Sequence, residues 1–261
     1  MAITSLDGII ASTKRRVVYQ KTATRTAVAN IPFSVFDLAG NPGAGTLAVG
    51  NTASGIVPTD AVAGYPAIAA PAASLYLNRI LARSSVACWL DLYDCLFSAG
   101  AYAFNAAITL ASQPSYVARL PSADYAGLEL WLEAVTAFTG SQSIRIQYLD
   151  QDGAAGDTGV IATAVAPIAG RMFAMPLAPG DSGLRQVNVV TSSVSTVGTF
   201  NVHVMRWLWG CRINGPNQGV VDNMLRSGLS QIYGDSALRL IVTPDSTATA
   251  LPSLRMETVD G

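Results

Sequence analysis

The side chains that could do chemistry are few, and each lies in a pattern that also has a plainer reading. Gly180, Asp181, Ser182 and Gly183 spell GDSG, the surroundings of the nucleophile in chymotrypsin-like serine proteases. That mechanism needs a histidine to take the serine proton. The one histidine of the chain, His203, lies downstream in FNVHVMRW, whereas those enzymes carry theirs far upstream. A β-turn after Pro179 is therefore expected, because turns select Pro, Gly, Asp and Ser. His203 alternates with Val202 and Val204, which points it away from the valine side, toward a polar surface or an interface.

Metal and phosphate chemistry fares no better. One histidine cannot build HExxH or a multi-histidine zinc site. Cys88, Cys95 and Cys211 show no CxxC spacing and read as reduced, mostly buried thiols rather than as a Cys/His metal set with His203. Such thiols suit a reducing compartment. Asp150, Asp152 and Asp157 in DQDGAAGDTG begin like a calcium loop, but the next ligand and the closing acid are missing, so a polar turn is expected. Gly40, Gly43 and Gly45 in AGNPGAG lack the following lysine of a phosphate loop, and Pro42 removes an amide, which leaves an ordinary loop. Glu129 and Glu133 are expected on the solvent face of a strand rather than as a glycosidase pair. No cofactor is required.

Two groups of residues imply a partner instead. Lys14, Arg15, Arg16, Lys21 and Arg25 occur with no acid among them in KRRVVYQKTATRT. Clustered positive charge attracts acidic surfaces or phosphates, while the alternative is a solvated edge strand whose charges discourage pairing. Trp207 and Trp209 flank Leu208 after Arg206; aromatic and arginine side chains are enriched at interfaces, and strand tryptophans are as often core.

The elements that position these residues read as strands. GLELWLEAVTAF sets Leu128, Leu130 and Leu132 against Glu129, Trp131 and Glu133, and SIRIQYLD follows after a short turn, a period-2 pattern that predicts a hairpin. Further strands are predicted at residues 160–165, 172–177, 184–191, 199–209 and 237–243, with short helices over 3–12 and 222–232 bounded by Asp222 and Gly234. Residues 38–73 are rich in Gly, Ala and Pro without a sustained period. Long ordered loops of this kind are usually functional, and the apolar content suggests a segment lying on a neighbour. The expected fold class is all-β, a β-sandwich of jelly-roll type with an extended N-terminal arm and few short helices. The expected domains are an arm and loop over 1–73 and a sandwich over 74–261.

Composition narrows the function classes. The 261 residues are 50% hydrophobic and 13% charged, against roughly one-quarter charged in an ordinary soluble domain, which suggests surface covered by neighbouring subunits. A formal net charge of −1 provides no global field for nucleic acid or an anionic membrane. The N-terminus lacks the basic, apolar, small order of a secretory signal, and the most apolar window, 62–77, is broken by Gly64, Pro66 and Pro71, short of the roughly 18 apolar residues of a spanning helix.

Longer stretches add a resemblance. PFSVFDLAGNPGAGTLAVG, LYDCLFSAGAYAFNAA, SQPSYVARLPSADYAGLELWLEAVT and GDSALRLIVTPDSTATALPSL together resemble proteins encoded among the virion genes of tailed bacteriophages. The likeness spans most of the chain and its motifs are structural, so it implies a particle component and no active residue. A shell protein of the usual tailed-phage fold would carry a long spine helix, and the window 86–110 is interrupted by Gly100. The resemblance therefore implies a capsid decoration or cement protein, made in the host cytoplasm and located in the virion. Its partners would be the major capsid protein and copies of itself, with a trimer suggested by icosahedral symmetry sites. The alternatives are a capsid shell protein and a receptor- or glycan-binding module of a tail or spike.

Overall fold

Alternation along the strands decides the architecture. The computed structural model describes residues 5–49, 53–68, 74–104, 107–163, 167–193, 197–228 and 230–261. It is all-β, and its strand ladders pair antiparallel into layered sandwiches. The chain divides into two compact units: Met1–Gly45, Thr59–Asp94 and Leu208–Gly261 form the first, Thr46–Pro58 and Cys95–Trp207 the second. The division falls inside the two longest strands, Cys88–Ala103 and Thr199–Ile213.

In the first unit, Gly219–Asn223, Leu75–Ser84, Pro252–Asp260, Lys14–Lys21 and Gly40–Asn41 lie side by side in that order. Along Lys14–Lys21, Val17, Tyr19 and Lys21 are buried, while Lys14, Arg16 and Gln20 are exposed and Val18 is half-buried. A bulge between Glu257 and Thr258, opposite Leu77 and Arg79, resets this parity, so that both Leu77 and Ile80 point inward. The inner face packs Val17, Tyr19, Leu75, Ile80, Leu254 and Met256 onto Leu90, Leu92, Leu238, Leu240 and Val242, each fully buried apolar side chain contributing about 1.5–3 kcal/mol.

In the second unit, Ile161–Ala162, Ser143–Asp150, Leu184–Ser192 and Ala107–Thr109 make one layer. The other runs Met172–Met175, Leu128–Thr136, Thr199–Ile213, Cys88–Ala103. Leu128, Leu130, Leu132, Val202 and Val204 of one layer share a core with Ile144, Ile146, Tyr148, Val187 and Val190 of the other.

Several expectations are corrected here. Leu128–Thr136 and Ser143–Asp150 form no hairpin; they pair with different strands in different layers. Phe138, between them, is buried edge-on against Phe104 at 4.6 Å between centroids, and this anchoring carries the chain across the sandwich. The β-branched residues and Tyr19 that suggest a strand over 14–26 do form one, Lys14–Lys21, seven of whose residues pair with Pro252–Asp260. The helix predicted over 222–232 is only Met224–Ser227, capped by Asn223 and ended by Gly228 at φ 76°, and Gln231–Ile232 returns as a strand. Asp222 belongs instead to the strand Gly219–Asn223. The helix expected over 3–12 is Leu6–Ala11 with Ser5 as its cap.

The Gly/Ala/Pro segment folds onto its own units where it is described. Tyr65 and Ile68 are buried, Asp60 accepts the Ile68 amide at 2.8 Å, and Ile56 bridges to Ser98. Residues 50–52 and 69–73 lie outside the described residues, as do 164–165 of the strand predicted over 160–165, whose observed part is Ile161–Ala162. Sequence reading missed Leu75–Ser84, Cys88–Ala103, Gly219–Asn223 and Pro252–Asp260 as strands. The first two surround segments whose two faces are both partly apolar, which hides the period.

Candidate functional site

The second unit assembles a polar cluster that resembles a catalytic triad in its connections. Ser98 on Cys88–Ala103, His203 on Thr199–Ile213 and Glu133 on Leu128–Thr136 come together because these strands are neighbours in one layer. Ser98 Oγ lies 2.8 Å from His203 Nδ1, and His203 Nε2 lies 3.1 Å from Glu133 Oε2. Asn201 Nδ2 donates to the Leu47 carbonyl at 2.6 Å and reaches Glu133 Oε2 at 3.4 Å. Cys95 Sγ lies 3.3 Å from Ser98 Oγ.

Hydrolysis needs a substrate carbonyl beside the serine and donors for the oxyanion. Ser98 is 3% exposed, His203 1%, and Glu133, Asn201 and Cys95 0%, so no substrate reaches the serine while the sandwich is closed. The cluster instead pairs buried polar groups with one another, leaving Asn201 Oδ1 without a hydrogen-bond partner among the described residues. We expect Ser98 to resist a fluorophosphonate probe in the folded chain; stoichiometric labelling detected by mass spectrometry would reverse this assignment. The placement corrects two expectations: His203 points to no surface, and Glu133 is not on a solvent face. Trp131, between Glu129 and Glu133, is itself buried, which shows that both faces of this strand are covered.

The other motifs take structural roles. GDSG forms a turn in which Asp181 N–H donates to Ala178 O, and Gln151 Oε1 accepts from Ser182 and Gly183 N–H. Asp150 Oδ1 accepts the amides of Asp152 and Ala154, and Asp157 is held by the Arg145 guanidinium, which keeps its carboxyl below the usual range. Among the described residues no three His, Cys, Asp or Glu could hold a metal. The three cysteines are free thiols, and burial pushes Cys211 up to about 12. A groove of about 550 Å³ in the second unit is lined by Glu129 and Asp181, but these carboxylates already accept from Trp131 Nε1 and Tyr148 Oη. Among the described residues no helix is long and apolar enough to cross a membrane.

The predicted interface residues separate into inside and outside. Lys21 is 1% exposed and donates to the carbonyls of Leu38, Pro42 and Gly43 at 2.9, 2.9 and 3.2 Å. Arg25 is buried and binds both oxygens of Asp37. Trp209 is buried with its Nε1 on Asp222. These three are occupied within the chain and offer nothing to a partner. Lys14 caps the carbonyls of Ile9, Ile10 and Ser12, and Arg15 pairs with Asp260 at 2.8 Å. Arg16 is exposed, and Trp207 is 50% exposed.

Arg16 belongs to a larger feature that sequence reading missed. On the outer face of the first unit's sheet it lies across from Glu257, which lies across from Arg79. In the next row Val18, Arg255, Leu81 and Val221 are successive neighbours, and in the third Gln20, Ser253, Arg83 and Gly219. Adjacent strands are about 4.8 Å apart, so four exposed arginines surround an apolar centre in which Leu81 is 37% and Val221 49% exposed. Two shallow grooves of about 350 and 360 Å³ run between them. The alternation Arg79, Leu81, Arg83 was legible locally, but its union with Arg16 and Arg255 spans most of the chain.

No family model and no curated protein matches the chain. Among solved structures, one of infectious bursal disease virus, Gt strain, is similar at 10% identity over 95% of this chain and 81% of that chain, with a TM-score of 0.20. The infectious bursal disease virus VP2 subviral particle is similar at 9% identity over 96% and 81%, with a TM-score of 0.18.

Proposed function

We propose that this chain is a structural component of a tailed-phage virion, a decoration or cement protein that stabilises the head through contacts with shell subunits and with its own copies, and that it is not an enzyme. The resemblance in the sequence supplies the setting. The observation that carries the mode of action is where charge is left exposed: Lys21, Arg25, His203 and Glu133 are consumed inside the fold, while four arginines stand on an open sheet face around Leu81 and Val221. Burying such a face at many repeated contacts stabilises a particle by mass action rather than by turnover.

The test is made on particles of the phage that encodes the chain. Mass spectrometry of purified virions should find it in copy numbers comparable to the shell subunit, and particles assembled without it should burst at lower temperature or milder osmotic shock. Its absence from purified virions would sink the proposal. Deleting residues 1–30 is not a substitute, because that removes a paired sheet strand.

A further inference from the structure

We propose that the arginine face of the first unit binds the acidic turn end of the second unit on a neighbouring copy, head to tail. This deepens the structural-component reading by naming the contact between copies. Arg16, Arg79, Arg83 and Arg255 are exposed, and none makes an ion pair among the described residues. Glu257, the one carboxylate among them, accepts from Asn78 Nδ2 at 2.7 Å. The face thus carries four positive charges and one negative, +3, in a chain of net −1, which leaves −4 elsewhere.

The complement is in the second unit. Gln151 Oε1 accepts from Ser182 and Gly183 N–H at 3.0 and 3.2 Å, which ties the turn at Asp150 and Asp152 to the turn at Asp181. Asp124 holds the Ala126 amide at 2.9 Å, and Ala126 bridges to Gly183. Asp124, Asp150, Asp152 and Asp181 are therefore gathered by side-chain-to-backbone hydrogen bonds and the Ala126–Gly183 bridge. The cation beside them is Arg185, 5.2 Å from the Tyr125 ring. Asp150 is buried, so the acid presented is that of Asp124, Asp152 and the half-buried Asp181, with Glu129 lining the groove beside Asp181, a negative surface opposite in sign to the arginine face. Asp124 and Asp152 are exposed.

Charge complementarity selects this occupant over the others. Two copies meeting through this face alone would set +3 against +3, which disfavours contact of the arginine face with itself and favours its meeting the acidic end of the neighbour. A nucleic acid would meet Glu257 between Arg16 and Arg79 in the first row, and the face offers apolar Val18, Leu81 and Val221 where a strand of bases wants aromatic rings to stack on. Those same aliphatic groups suit a protein surface, which they help to desolvate.

Sedimentation velocity of the full chain at low and high sodium chloride reads the contact. We expect species larger than the monomer at low salt that dissociate as salt is raised. Arg79→Glu/Arg255→Glu should weaken the association by roughly tenfold or more, as should Asp124→Arg/Asp152→Arg. An equimolar mixture of the two double variants should regain it, because each then presents one native surface to the other. All four positions are exposed, and circular dichroism melting checks that the variants fold; Arg79→Gln/Arg255→Gln serves if the reversal does not. A wild-type chain that stays monomeric at low salt, assemblies that survive both reversals, or a mixture that fails to recover would each overturn the contact. So would a monomer whose Arg79 and Arg255 retain it on heparin or duplex DNA. The particle assay above is independent, so failure here leaves the virion reading standing.

Discussion

Glu133→Ala lowers the unfolding free energy by about 3–5 kcal/mol, the size expected when one member of a buried charged or hydrogen-bonded pair is removed. The alanine leaves His203 Nε2 without its 3.1 Å acceptor and leaves Asn201 Nδ2 with the Leu47 carbonyl as its acceptor, at positions closed to bulk solvent. His203→Ala should cost a similar amount, because the buried Glu133 carboxylate loses its 3.1 Å contact with the imidazole. The paired replacement Glu133→Met/His203→Leu should recover most of the loss, because apolar groups of similar volume need no partner. Equilibrium urea unfolding measures all three. A cost below about 0.5 kcal/mol for both single variants, within the range of unremarkable surface changes, would show that the cluster is not what ties these three strands.

Lys21→Met comes next in size. Its ammonium supplies three donors to the carbonyls of Leu38, Pro42 and Gly43. Hydrogen bonds to charged groups contribute about 1.5–3 kcal/mol each and are not additive, so a total of about 3 kcal/mol is expected. Gly40 makes the close approach possible: at φ 143° it lies so near the strand that a Cβ would fall 2.5 Å from Lys21 Cα. The loop after Ala39 therefore lies directly over the lysine, and methionine keeps the packing while removing the donors.

The same residue sets a pH signature. Burial pulls the Lys21 ammonium from 10.5 down to about 8, with the Asp37 carboxylate opposing. Between those values the unfolded chain holds a proton that the folded chain has released, so stability rises with pH from about 8 to 10.5 and is lost as pH falls through 8. Above 10 the trend turns. Burial pushes Tyr148 up to about 12, and raises Tyr102 and Tyr116 as well; a raised tyrosine favours the fold below pH 10 and loses that contribution as pH climbs through the folded value. Urea midpoints across pH 7–11 should show the rise in the wild type and its absence in Lys21→Met. An equal rise in both would remove Lys21 as its source.

Lys21 also illustrates how far the sequence could be read. Val17, Tyr19 and Lys21 alternate with Arg16, Val18 and Gln20, and strict alternation already places Lys21 with the core-facing set. Grouping it with its basic neighbours by charge hid that parity. Glu133 was hidden differently. Its strand alternates leucine against Glu, Trp and Glu, which reads as half-exposed, yet the second face is covered too. Whether a polar residue on that face meets water or a histidine depends on the next strand, and Thr199–Ile213 is far away in sequence.

What the sequence by itself determined was local and periodic. The β class, strands within 127–138, 143–150, 184–191 and 199–209, the turn at Gly180 and the shortage of catalytic side chains all follow from alternation, turn chemistry and composition, because each depends on residues a few positions apart. Tertiary structure decided the rest. The division into two sandwiches, the crossing between Leu128–Thr136 and Ser143–Asp150, the sealing of Ser98, His203 and Glu133, and the gathering of Arg16, Arg79, Arg83 and Arg255 depend on which strands become neighbours. That choice is made by long-range pairing and shared cores, and no window along the chain contains both partners.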